Sequence, residues 1–195
     1  VLQQQRLAIG LVTPAVAVGD TMSGEELLPS RIAVQAFKSS GVTVSDTQLR
    51  VIGIDTASRN AFTLISGLRI VGKTLSSAVR IVAQAGALQT QTQTFAVVLA
   101  PTTIARVPAD SADSLVYDRV DTSARFVDTR VRVLAGTDPL TGLRVRFRVI
   151  NATDSIVDSV RLVSAAAGRN VASVLLSNGD ASVRVKAYKK ATARG

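Results

Sequence analysis

The chain has no histidine, no cysteine and no tryptophan, and aromatic residues make up only 4% of its 195 positions. Without imidazole or thiol it cannot form a His general base, a thiolate nucleophile or a zinc centre of the usual nitrogen and sulfur ligands. No enzymatic role and no cofactor are therefore expected. Lack of cysteine also removes disulfides, which suits the cytosol and a bacterial exterior equally. The best apolar stretch is 94–100, far short of the roughly 18 residues of a membrane helix, so membrane insertion is not expected. Few rings are available for stacking on bases, which argues against sequence-specific nucleic-acid binding.

What the chain does have is alternation. Residues 143–149 place Leu143, Val145, Phe147 and Val149 on one side of a strand and Arg144, Arg146 and Arg148 on the other. A period of two makes one sheet face apolar and the other cationic. The pattern recurs at Arg130-Val131-Arg132-Val133 and at Ser182-Val183-Arg184-Val185-Lys186-Ala187. The rest of the apolar set, mainly Val, Ile, Leu and Ala, suits thin cores filled by β-branched side chains.

Strand-like runs are expected over 7–12, 15–18, 31–37, 48–54, 61–65, 68–71, 79–84 and 93–99, then over 104–107, 114–117, 129–134, 143–150, 157–163, 171–176 and 181–188. Turn chemistry separates them, as in Ser39-Ser40-Gly41, Ser58-Arg59-Asn60, the loop from Gly136 through Pro139 to Gly142, and Asn178-Gly179. The last is a strong hairpin signal and predicts a closing hairpin over 171–188. Residues 75–84 come nearest to a helical stripe. Regular short strands of this kind predict an all-β chain of two tandem immunoglobulin-like sandwiches. The composition shift at Pro101-Thr102-Thr103 sets the expected domains at 1–101 and 102–195.

The strand at 129–134, the Asp138-Pro139-Leu140-Thr141-Gly142 loop, the strand at 143–150 and the Leu175 to Val185 closing segment together resemble the bacterial immunoglobulin-like domains of invasin and intimin. The first half is similar to related bacterial Ig-like repeats through 32–37, Ser39-Ser40-Gly41-Val42 and the ending Phe95 to Pro101. This resemblance implies tandem modules on a cell surface, in an adhesin or in an extracellular fibre, and it brings no catalytic residues. The expectation is a non-catalytic structural subunit of an exported bacterial surface structure or filament, assembling with copies of itself. The alternatives are an adhesin or carbohydrate-binding stalk module and, in the enzyme class, a P-loop nucleotide hydrolase. A start at Val1 without a leader is consistent with removal of a signal peptide.

The net charge is +9, with +3 carried up to Pro101 by eight bases against five acids and +6 carried by the remainder. Such a balance draws polyanions, including an acidic polymer, although a solvated surface explains it equally well. Candidate interaction residues are the cations Arg130, Arg132, Arg144, Arg146, Arg148, Arg184 and Lys186, expected on a single sheet face, and the apolar Leu7, Ile9 and Leu11. The segment 7–12 is apolar on both faces, so it either begins the first sandwich or is donated to the sheet of a neighbouring copy.

Three further patterns are weaker. Gly67 to Thr74 fits the P-loop expression in full. Its bulky Leu68, Arg69, Ile70 and Val71 favour a strand over a phosphate cradle, and no carboxylate lies between Asp55 and Asp110 to serve a magnesium ion. Asp110, Asp113, Asp118, Asp121 and Asp128 lack a calcium-loop core and either solvate a loop or meet arginines across an interface. Asn151-Ala152-Thr153 is a glycosylation pattern, and Lys186, Lys189, Lys190 and Arg194 form a basic tail.

Overall fold

A computed structural model describes residues 6–11, 13–24, 30–37, 43–44, 50–66, 68–85, 87–107, 126–149, 160–163 and 171–187. The chain divides into two compact units, Val1–Ala100 and Pro101–Gly195. Both are built of β-strands.

In the first unit, β1 (Arg6–Gly10) pairs antiparallel with β3 (Ala33–Phe37), while β2 (Ala15–Ala17) lies parallel to β10 (Gln93–Val98) in another sheet. Consecutive strands β1 and β2 thus belong to different sheets. The short β4 (Thr43–Val44) extends the β1–β3 sheet. The larger sheet contains β2, β10, β8 (Ser76–Ala85) and β5 (Arg50–Gly53), with β9 (Leu88–Gln89) folded back on β8. A two-stranded sheet of β6 (Phe62–Ile65) and β7 (Arg69–Gly72) completes the unit.

Of residues 75–84, the nearest approach to a helical stripe, all but Leu75 lie in strand β8. Val79, Ile81, Ala83 and Ala85 are buried at a spacing of two, while on the other face Arg80 is exposed and Val82 is buried. A β-branched row with that period packs on a pleated surface and not as a helix. Val79 and Ile81 join Val16, Ile70, Phe95 and Val97 in the core, where the Phe62 and Phe95 rings meet edge-on at 5.8 Å. Edge-on rings contribute about 0.5–1.5 kcal/mol beyond their area burial.

Ser58-Arg59-Asn60, expected as a turn, lies in the helix α1 (Thr56–Ala61). Asp55 caps it, accepting the Ser58 N–H at 2.7 Å, and the Ser58 hydroxyl oxygen in turn accepts the Arg80 N–H at 3.0 Å. The cap is a local sequence signal, Asp followed by Thr-Ala-Ser, and the buried Ser58 ties the short helix to β8.

The second unit has one larger sheet in the order β11 (Thr103–Val107), β12 (Phe126–Ala135), β17 (Asp180–Ala187), β15 (Val160–Leu162), with β13 (Asp138–Pro139) returning on β12. The other sheet pairs β14 (Arg144–Arg148) with β16 (Val171–Leu175). Leu162, Ala172 and Val183 are buried together, with Phe147, Val149 and Val185 packed against them. The all-β sandwich expectation holds. The run expected at 114–117 lies outside the described residues.

The closing hairpin expected over 171–188 forms only at its tip, where Ser177 and Asp180 exchange backbone hydrogen bonds of 3.0 Å across Asn178-Gly179, and β16 and β17 do not pair with each other. Asn178 and Gly179 do adopt the positive φ values of a tight turn, 49° and 83°, but β16 pairs with β14 and β17 pairs with β12 and β15. Backbone bonds redirect the chain: the Leu176 N–H donates to Leu143, the Gly179 N–H to Leu140, and the Gly179 carbonyl accepts from Val133. The turn therefore carries the chain between sheets. Gly179 is required twice, for its φ and because a Cβ there would stand 2.9 Å from Pro139 Cβ.

Gly72 is a second enforced glycine, since a Cβ would come within 2.6 Å of the Ala17 carbonyl oxygen and 3.0 Å of Val97 Cγ1. Backbone cannot yield as a flexible side chain can. Gly72→Ala is expected to lower unfolding free energy by roughly 1–3 kcal/mol in urea denaturation, whereas an unchanged midpoint would mean β2 and β7 are less closely apposed.

Candidate interaction surfaces

The register of β12 and β17 decides how the cations of that sheet are compensated. Asp128 stands opposite Arg184, Arg130 opposite Ser182, Arg132 opposite Asp180, and Phe126 opposite Lys186. All lie on the face turned away from buried Val133, Ala181 and Val183. Arg184 grips Asp128 through two bonds of 2.7 and 2.8 Å, and Arg132 grips Asp180 through two of 2.8 and 3.0 Å. Arg184 and Lys186 also sit over the Phe126 ring, at 5.8 and 5.1 Å from its centre. The guanidinium bonds hold both aspartates below the usual carboxylate range, and the carboxylates raise Arg132 and Arg184. Arg130 lacks such a partner across the strand, and its Nε is buried without a hydrogen bond.

The arginines of β14 are not on this face. The cations expected on one sheet face divide between two sheets, because β14 pairs only with β16 among the described residues. Phe147 turns inward against Ala172 and its neighbours, so Arg144, Arg146 and Arg148 turn outward. Opposite them stand Leu175, Ser173 and Val171. No carboxylate faces the row from β16. Arg144 Nε and Ser173 Oγ are buried without hydrogen-bond partners, whereas Arg146 already has an interaction within the chain.

Asp128 and Asp180 were hidden in the sequence by their neighbours. Asp128 reads as the end of an acidic loop and Asp180 as part of the Asn178-Gly179 turn. The available signal was periodicity: Asp128 is two residues from Arg130 and Asp180 four from Arg184, so each shares a row with cations. Asp110, Asp113, Asp118 and Asp121 lie outside the described residues, as do Asn151, Lys189, Lys190 and Arg194.

The apolar opening strand is buried on one side and open on the other. Leu7 is buried beside Ala85 and Leu88, and Ile9 and Leu11 pack on the main core of their unit. Ala8 and Gly10 are exposed, since they have little apolar surface to hide. A groove of about 520 Å³ runs between β1 and residues 88–93. The P-loop match forms no cradle: Arg69–Gly72 is strand β7, paired with β6, and the Lys73 and Thr74 N–H groups donate to the Ala61 carbonyl. Gly67 lies outside the described residues. Among the described residues no cluster of acids suits a metal ion, and no helix is long and apolar enough to cross a membrane.

No family model matches the chain, and no curated protein does. The resemblance to invasin and intimin domains thus rests on turns and alternation alone. Among solved structures the chain is similar to the S-layer protein rSbsC, with a TM-score of 0.39 at 8% identity, covering 95% of this chain and 25% of that one. A structure of surface layer protein SbsC domains 1–6 gives 0.40 at 8%, covering 96% and 25%. Domains 5–6 of SbsC give 0.35 at 14%, covering 91% and 85%. The chain spans about a quarter of the length of the first two. Scores of this size are too low to establish a common fold.

Two outcomes follow from the geometry. Because the folded pKa values of Asp128 and Asp180 are depressed, their contribution to stability is present above the ordinary aspartate pKa of about 3.9 and is lost as pH falls through the lower folded values. The double variant Asp128→Asn/Asp180→Asn should therefore lose less stability than the parent between pH 6 and pH 2, in denaturant titrations at low salt. Equal acid slopes would show that these pairs contribute nothing. For the P-loop match, calorimetric titration with Mg–ATP should give no heat of binding that disappears in Lys73→Ala; such a heat would revive the nucleotide reading.

Proposed function

We propose that this chain is a non-catalytic structural subunit of an exported bacterial surface structure, made of two Ig-like sandwiches and working through contacts with copies of itself. The observation that carries the reading is β11. Among the described residues it pairs only with β12, and Thr103 to Arg106 are all exposed. Ile104 stands opposite buried Val133, on the core side of the sheet, yet is 64% exposed.

A sheet edge presents unpaired N–H and C=O groups and pairs with another chain unless it is blunted by proline, a bulge or repeated charge. Thr103-Ile104-Ala105-Arg106-Val107 contains no proline and one charge. Its β-branched side chains and open backbone suit strand addition from a neighbouring subunit. Edge pairing at β11 takes the place of donation of 7–12 in this proposal, because Leu7 is buried against Ala85 and Leu88 of its own unit. The absence of histidine and cysteine from the whole sequence supports a structural over a catalytic role. Location outside the cell, after removal of a signal peptide, belongs to the same proposal.

Ile104→Lys tests it. An exposed substitution should change stability by no more than about 0.5 kcal/mol, so urea midpoints stay together while sedimentation velocity shows weaker self-association than the parent. Unchanged association in a folded variant would overturn β11 as the contact, and a parent that stays monomeric at all concentrations would overturn the assembly reading.

A further inference from the structure

We propose that the outer face of β14 and β16 docks the acidic segment 110–121 of a second copy of this chain. The inference rests on the assembly reading above and names one of its contacts. Its basis is the contrast between the two sheets of the second unit. In the β12–β17 sheet, Arg132 and Arg184 each face an aspartate directly across the strand. On β14 the three arginines face Leu175, Ser173 and Val171. Among the described residues, Arg132 and Arg184 are compensated across their own sheet, whereas no carboxylate of β16 stands opposite Arg144 or Arg148.

Two polar atoms mark where an anion belongs. Arg144 stands opposite Leu175 and Ser173 opposite Arg146, so Arg144 and Ser173 are diagonal neighbours on the same face. Arg144 Nε and Ser173 Oγ are both buried without a hydrogen-bond partner. A carboxylate entering between them accepts from both, and bonds between charged groups are the stronger kind. Arg148 is exposed four residues along the same row, about 13 Å further for a strand. Arg146, which has an interaction of its own, is not needed for the argument.

The occupant follows from charge and from the apolar strip beside the arginines. Residues 110–121 carry Asp110, Asp113, Asp118 and Asp121 against the lone Arg119, a net of −3, opposite in sign to Arg144 and Arg148. Between the acids lie Leu115, Val116 and Tyr117. Across β16, Leu175 is 40% exposed and Val171 half-buried, which gives these side chains an apolar surface to cover. A sugar polymer would match the arginines but leave that strip uncovered. A peptide with acids on either side of an apolar centre satisfies both.

Charge exchange between copies provides the test. One variant carries Arg144→Glu, Arg146→Glu and Arg148→Glu; the other carries Asp110→Lys, Asp113→Lys, Asp118→Lys and Asp121→Lys. Each alone should associate at least roughly tenfold more weakly than the parent in sedimentation velocity at low salt, and an equimolar mixture should recover association. The single variant Arg148→Glu, at an exposed position, keeps the test valid if the triple variant unfolds, and should also weaken association and flatten its dependence on salt. Recovery in the mixture supports docking between copies. Failure to recover, with each variant folded, overturns it, and a loss of monomer stability in both variants would place the segment on its own chain instead. If the parent associates and neither reversal weakens it, this contact is wrong while the assembly reading stands. A parent that never associates removes both.

Discussion

The second unit depends on the register between β12 and β17. Opposing residues across an antiparallel pair lie close enough to interact, and a slip of one position turns every side chain to the other face. In the observed register Asp128 meets Arg184, Arg132 meets Asp180, and Val133, Ala181 and Val183 enter the core. A slip would bury arginine and expose valine. The ion pairs are exposed and individually weak, so burial of the valine rows supplies most of the preference and the charges sharpen it. The same register sets Arg132 and Arg184 against carboxylates of their own sheet, whereas no carboxylate of β16 stands opposite the arginines of β14.

The first unit is governed by closeness of backbones. Parallel pairing of β2 with β10 brings Ala17 against Gly72, where there is no room for a side chain. That approach puts Ile70, Val97 and Phe95 into one core with Val79 and Ile81. Beside Phe62, Phe95 and Met22 the core is filled mainly by Val, Ile and Ala, whose contacts must fit closely.

The strands were legible where alternation is strict. Residues 143–149 and 129–134 both contribute to strands because a row of two-residue period has one stable burial. The short helix α1 was not, since its six residues are too few to show a 3.6-residue stripe and its cap residues also suit a turn. The Asn178-Gly179 turn was read correctly, with Ser177 and Asp180 bridged across it, but β16 and β17 do not extend it as a paired hairpin. A turn type is set by its own φ and ψ, whereas the partner of each strand is set by distant residues such as Leu140 and Leu143. For the same reason the arginine rows could be found in the sequence, but not their division between two sheets or the aspartates that neutralise one of them.

Hydrogen exchange read by mass spectrometry, at concentrations below and above self-association, tests the central claim that this chain assembles through open surfaces of its second unit. The account predicts added protection over 103–107, 110–121 and 144–148 as concentration rises, with β12 and β17 protected equally in both states. Protection that does not change with concentration, or that grows only in 1–100, would contradict it.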